Sequence, residues 1–289
     1  MSRSRALGIA AAIFYIFLWA SAYVPSKIGV LDSSPLWFLV VRFAVAGGIV
    51  LAAALALGAR LPRTGAQWGV LIALGVLSNG IYLGLTYEAF RHLASGIGAI
   101  IASTNPLVLA IVAPFVLREA LTPVKTGGLL LGFGGVVWIM LARTGTGSAN
   151  ATDVLLAFGG VLSSVAGTIV FKRWGTTFDL RITTAVGLLA AGLLLLPFAL
   201  LTEGMSHVLW SPRIIVSFWY LVVVVSIGAS LLWFWLLKHG EASRVSAFFF
   251  LTPVFGLLLG YFFLHEAIGM RDLGGLVAIA AGLFLVQRS

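Results

Sequence analysis

Asn79, Tyr82 and Thr86 stand three and four residues apart inside an apolar stretch, and Ser226, Ser230 and Trp233 repeat that spacing later in the chain. Side chains so spaced share one face of a helix. An amide in hydrocarbon is costly without a partner, so Asn79 has to face protein or a water-filled cavity. Polar side chains of this kind either hold neighbouring helices together or line such a cavity. Trp19 lies in the middle of another apolar stretch, although tryptophan prefers membrane interfaces. It is either a packing aromatic or a cavity wall that stacks on a ligand. "SSVAGT" (163 to 168) and Ser103-Thr104-Asn105-Pro106 supply comparable polar centres in two further stretches. The chemistry open to this set is binding. Hydroxyls and amides suit a zwitterionic head and aromatic faces suit its side chain, so the expected site is Trp19, Asn79, Tyr82, Ser164, Ser226, Ser230, Trp233 and Phe250.

Covalent and metal chemistry find no support. The chain has no cysteine, which removes disulfides, thiolate nucleophiles and Cys-based metal sites. His92, His207, His239 and His265 fall in loops or near the ends of apolar stretches, without metal-ligand spacing. An intramembrane protease needs a serine in a glycine-framed motif with a histidine, or two aspartates at mid-membrane, and neither occurs. We therefore expect no catalytic residue, no cofactor and no metal. The nine Asp and Glu residues also fall at stretch ends or in loops. Glu119 and Glu266 are expected to bond backbone or basic groups at helix ends. A buried carboxylate that could exchange a proton for cargo is missing.

The elements that must position these side chains are membrane helices. Of the 289 residues 61% are hydrophobic and 9% charged, whereas soluble domains run near 45–50% and 25%. Apolar segments of bilayer length occur near 8–30, 36–58, 67–87, 95–117, 125–142, 154–172, 182–201, 214–237, 245–264 and 272–287, which predicts ten helices. The first follows Arg3 and Arg5 and carries Ala20-Ser21-Ala22, like a secretory signal. Its apolar character runs on through Tyr23, Val24 and Ile28, so it reads as a retained span. Net charge is +9, but the basic residues are dispersed between apolar segments. This sets topology and points to no nucleic acid. Alternate loops hold twelve Lys and Arg on the side of the termini (Arg3 and Arg288 among them) and five on the other (Lys27, Arg91, Arg143, Arg213, Arg271). The positive-inside rule then puts both termini in the cytoplasm. Arg42, inside its span, is expected to snorkel to the interface, with pairing to a carboxylate as the alternative.

The chain also repeats itself. His92 and His239 differ by 147 positions, and the same shift takes Pro106 to Pro253, Glu119 to Glu266 and Gly127-Gly128 to Gly274-Gly275. Halves of five spans each, 1–146 and 147–289, would lie in opposite orientation. Two such halves can exchange shapes and expose a site between them first to one side, then to the other. That favours a carrier over a passive channel. Pro25, Pro106 and Pro253 are the expected hinge or gate positions. Gly128 with Gly132, and Gly274, Ala278 and Gly282, permit close helix approach and are read as packing within one chain, a monomer.

"FLWASAYVPSKIG", "VVRFAVAG", "ASTNPLVLAIVAPFVLREALT" and "FLTPVFGLLLGYFFLHEAI" resemble the drug/metabolite transporter superfamily, specifically its ten-helix EamA-type members. The likeness covers essentially the whole chain. It implies an inner-membrane exporter of amino acids, aromatic ones included, and related metabolites. Spans 1–4 and 6–9 would surround a central cavity, with spans 5 and 10 supporting from outside. The implied partners are a small-molecule substrate and the lipid bilayer.

Overall fold

The computed structural model describes residues 3–93, 95–143, 150–204, 211–264 and 269–288, all helix, turn or loop with no strand among them. Among the described residues, seven helices are long and apolar enough to cross a membrane: Ala6–Ser26, Pro35–Ala56, Gly65–Ala89, Pro123–Leu141, Ala151–Gly175, Leu180–Thr202 and Pro212–His239. Ile100–Val116 and Ala242–Leu258 are shorter apolar helices. With the last helix, Met270–Arg288, they follow one another in the predicted order and are called spans 1 to 10 below. Glu266 and His265, His207 and Trp210, and most of the 143–153 linker lie outside the described residues.

The bundle wears its apolar side chains outward. Phe115 and Leu201 are each 84% exposed, and Leu193, Val216 and Leu155 nearly as much. Arg42, Asn105, Ser163, Thr168, Thr183, Ser226 and Ser246 are buried. Hydrocarbon tolerates the former and penalises the latter, which sorts the residues in this way. The protein is a multi-pass, all-helical membrane protein.

Glycine sets the closest helix approaches. A Cβ on Gly282 would stand 2.5 Å from the Gly128 carbonyl, and one on Gly275 2.9 Å from that of Gly135, so spans 5 and 10 touch backbone to backbone. Gly128 and Gly282 thus pack within the chain as expected. Gly275 makes the contact expected of Gly274, which meets only the Trp138 ring, at 3.7 Å. Spans 2 and 7 pair similarly, with Gly47 against Leu189 and Gly192 against Phe43.

Several spans are interrupted. Span 1 is Arg3–Ser21 and Tyr23–Asp32, broken where the signal-like Ala20-Ser21-Ala22 falls. The Ser21 hydroxyl donates to the Leu18 carbonyl and lies 2.6 Å from the Tyr220 hydroxyl of span 8, so this motif is a joint inside the bundle. Span 4 stops at Ala102 and restarts at Asn105. Span 9 passes through a 3-10 segment, Ala247–Leu251. Spans 3, 6 and 8 contain π-helical segments, Val76–Ile81, Phe171–Gly175 and Leu221–Ala229. Shifting 76–81 by 147 gives 223–228, which falls inside the span 8 segment.

Candidate functional site

A cavity in the bundle is lined by six spans. Span 1 supplies Tyr15, Trp19 and Tyr23, and span 3 supplies Ser78, Asn79 and Tyr82. Ala102, Ser103 and Asn105 come from span 4, and Val161, Ser164 and Thr168 from span 6. Ser230, Trp233 and Phe234 of span 8 and Phe249, Thr252 and Pro253 of span 9 complete it. Spans 2 and 7, expected around the cavity, instead face each other. The breaks and π segments described above fall on the spans that line it, as irregular backbone at membrane depth should.

The lining has two kinds of group. One is a cage of rings. Trp19 stacks on Tyr82 at 6.2 Å and 13°, and Tyr15 on Trp233 at 5.0 Å and 24°. Phe249 presents its edge to Tyr15 and Trp19 at 88° and 87°. Offset stacks and edge contacts are the favourable geometries for aromatic pairs. The other is polar and uncharged: Ser78, Asn79, Ser103, Asn105, Ser164, Thr168, Ser230 and Thr252. Asn105 donates to the Ser164 hydroxyl at 3.3 Å, and Thr168 to the Ser164 carbonyl at 3.1 Å. Beside the lining, Ser163 donates to the Leu77 carbonyl of the π segment. Among the described residues, no Asp, Glu, Lys, Arg or His lines it.

The water-accessible volume is about 60 Å³, room for roughly four waters at about 10–15 Å³ each. A larger guest therefore requires the lining to open further.

Six of the eight residues expected from sequence meet here: Trp19, Asn79, Tyr82, Ser164, Ser230 and Trp233. Two do not. Ser226 accepts from Arg42 Nε at 2.8 Å and is buried away from the cavity. It was placed with Ser230 by α-helical spacing, and the π winding of Leu221–Ala229 breaks that register. Phe250 is fully buried against span 5, where a Cβ on Gly132 would lie 2.7 Å from its ring. The 3-10 turn brings Phe249 to the cavity instead. Thr86 bonds back to the Tyr82 carbonyl at 2.7 Å and packs over Gly160. Of the three prolines only Pro253 lines the cavity. Pro106 is buried at the restart of span 4, and Pro25 stands half-buried in the first turn of Tyr23–Asp32.

Arg42 does not snorkel. It is 3% exposed, and besides Ser226 it reaches the Tyr87 hydroxyl at 3.3 Å. Its partners are hydroxyls of spans 8 and 3, and no carboxylate ion pair is found for it among the described residues. Glu119 behaves as expected: its carboxylate accepts the backbone N–H groups of Ala242 and Ser243, where span 9 begins, and the Ser243 hydroxyl. Glu203 does the same for Leu36 and Trp37 at the start of span 2, and also holds Arg91 at 2.9 Å. Helix N-termini attract carboxylates.

The EamA-like transporter family model matches residues 6–141 and again 152–288. The chain belongs to the EamA-like transporter family. It is a membrane transporter and not an enzyme. Among curated relatives, an uncharacterized transporter YvbV of Bacillus subtilis is 29% identical over 95% of this chain and 89% of its own length. Protein PecM of Dickeya dadantii is 28% identical over 93% and 89%. The uncharacterized inner membrane transporter YedA of Escherichia coli is 27% identical over 86% and 80%. One solved crystal structure superposes with a TM-score of 0.80 over 98% of this EamA-like chain and 97% of its own, at 18% identity, which shows the shared fold.

Tyr15, Tyr23, Asn105, Phe249 and Thr252 were not singled out from sequence as site residues. Asn105 and Thr252 had a signal: they precede the repeat-related Pro106 and Pro253, 147 positions apart.

Proposed function

We propose that this EamA-like transporter exports amino acids, aromatic and other neutral ones first, and related small metabolites by alternating access through the cavity. The observation that carries this reading is the lining: a ring cage together with hydroxyls and amides, with no charged residue among the described lining. The rings suit an apolar side chain and the polar groups suit a zwitterionic head. Without a fixed ion pair, binding is weak and tolerant of many cargoes. No carboxylate lines the cavity among the described residues, which supports facilitated transport down the cargo gradient over proton exchange.

The chain is read as two inverted repeats, 1–146 and 147–289, with both termini in the cytoplasm and the whole in the inner membrane. The doubled family match, the repeat-related π segments and the lopsided basic loops support this. A monomer is supported by six spans of one chain contributing to the cavity.

The test is uptake of labelled L-phenylalanine by vesicles containing the purified protein, competed with unlabelled amino acids, nucleosides and cationic drugs. Neutral amino acids should compete best. Trp19→Ala and Asn79→Ala should each lower the rate by about tenfold, the equivalent of ~1.4 kcal/mol, at unchanged folded abundance. Competition by cationic drugs alone, or parental rates in both variants, would refute the reading. Accumulation against the gradient driven only by an imposed pH difference would refute the facilitated mode.

A further inference from the structure

A second cavity lies where the ends of four spans meet. It holds about 390 Å³, within the roughly 300–1,000 Å³ of small-ligand sites, and is several times larger than the central one. The junction of spans 2 and 3 lines it with Arg60, Arg63 and Gln67, and the junction of spans 6 and 7 with Phe178, Asp179 and Arg181. Both junctions are fixed. Gly58, at φ +74°, turns the chain off span 2 in a conformation that glycine adopts freely. Thr64 and Gln67 form a reciprocal capping box at the start of span 3, and Gln67 Oε1 also accepts the Arg63 N–H at 2.7 Å. Asp179 accepts the Arg181 N–H at the start of span 7 and holds the Arg181 guanidinium at 2.6 and 3.0 Å.

The charges of this lining do not balance. Three arginines stand against one carboxylate, and that carboxylate is already engaged by Arg181. Among the described residues no salt bridge is found for Arg60 or Arg63. Arginine is the side chain whose planar fork matches a phosphate with two hydrogen bonds. The depth of the cavity says which phosphates it meets. Trp68, in the first turn of span 3, and Trp174, at the end of span 6, are both exposed, and exposed tryptophans settle at the level of the lipid head groups. Leu57 and Leu61, beside the arginines, are exposed as well and offer an apolar surface to an acyl chain. Basic pockets between membrane helices are sites for anionic head groups.

We propose that this cavity binds the phosphate of an anionic phospholipid, with Arg60 and Arg63 as its ligands. Such a lipid joins the junction of spans 2 and 3 to that of spans 6 and 7 from the membrane side, whatever the cargo of the central cavity.

The experiment measures the melting temperature of the full-length protein in lipid nanodiscs of phosphatidylcholine, with and without phosphatidylglycerol. The parent should gain about 5 °C from phosphatidylglycerol, the scale of a ligand well above its dissociation constant. Arg60→Gln with Arg63→Gln should lose most of that gain. Lys238→Gln with Arg288→Gln removes two exposed charges from the same face of the bilayer and should keep it. Each variant is read against its own value in phosphatidylcholine, so a folding defect cancels. Inorganic phosphate added to the phosphatidylcholine discs at matched ionic strength should give no gain. A parent indifferent to phosphatidylglycerol overturns the proposal, as do equal gains in the two double variants, which would make the effect one of general surface charge. A gain from inorganic phosphate equal to that from the lipid overturns it too, because the site would then take a free anion.

Discussion

Gly75→Ala should strip most of the folded protein from the membrane, whereas Gly187→Ala, at the other side of the same contact, should leave it near the parental level. A Cβ on Gly75 would stand 2.2 Å from the carbonyl oxygen of Gly187 and 2.4 Å from its Cα. These are backbone atoms of span 7, so no side chain can rotate away and the two spans have to part. A Cβ on Gly187 meets Gly75 Cα only at 3.4 Å, ordinary contact. Overpacking commonly costs about 1–3 kcal/mol, and a clash against backbone belongs at or above the top of that range, a large part of a total near 5–15 kcal/mol. Gly75 also immediately precedes the π segment that carries Ser78 and Asn79, so whatever protein survives should transport poorly. Fluorescence-detected chromatography of the two variants, with thermal ramps, checks this. Equal behaviour of the pair would contradict the packing described.

Arg42→Ala should be comparably damaging, while Arg42→Met should fold as well as the parent. Arg42 is buried and ties span 2 to span 8 through Ser226 and to span 3 through Tyr87. Truncation to alanine leaves a cavity and strips both hydroxyls of this donor. Emptying the space of a large buried side chain costs about 2–5 kcal/mol, whereas an apolar side chain of similar volume in place of a buried charge is often neutral or stabilising. Methionine fills the space and removes the need to bury a charge. The expected order of melting temperature is methionine at or above arginine, with alanine far below. If alanine melts with the parent, Arg42 is not the tie that its contacts indicate.

The two residues that sequence reasoning misplaced share one cause. Trp19, Asn79, Tyr82, Ser164, Ser230 and Trp233 reach the cavity because polar or amphipathic groups at membrane depth have few other places to go, and composition alone reveals that. Ser226 and Phe250 fail because their neighbours do not wind as α-helix. One residue more or fewer per hydrogen-bonded turn rotates a side chain to another face, and no apolar pattern announces it. Arg42 was read as snorkelling from its depth alone. Its hydroxyl partners lie 184 and 45 positions away in sequence, and only the packing of spans 3 and 8 brings them together. The ten apolar segments were readable because bilayer thickness sets their length. The breaks were half readable, Pro106 marking span 4 while nothing marked the π segments.

The most direct test uses the absence of cysteine in this chain, which makes any introduced thiol unique. Ser164→Cys places one in the cavity lining beside Asn105. In oriented vesicles, a membrane-impermeant thiol reagent should reach that position from either side in separate experiments, and L-phenylalanine should slow the labelling from both. Alternating access through an occupied central site predicts that outcome. Labelling from neither side, or labelling from both sides that phenylalanine leaves unchanged, would contradict it.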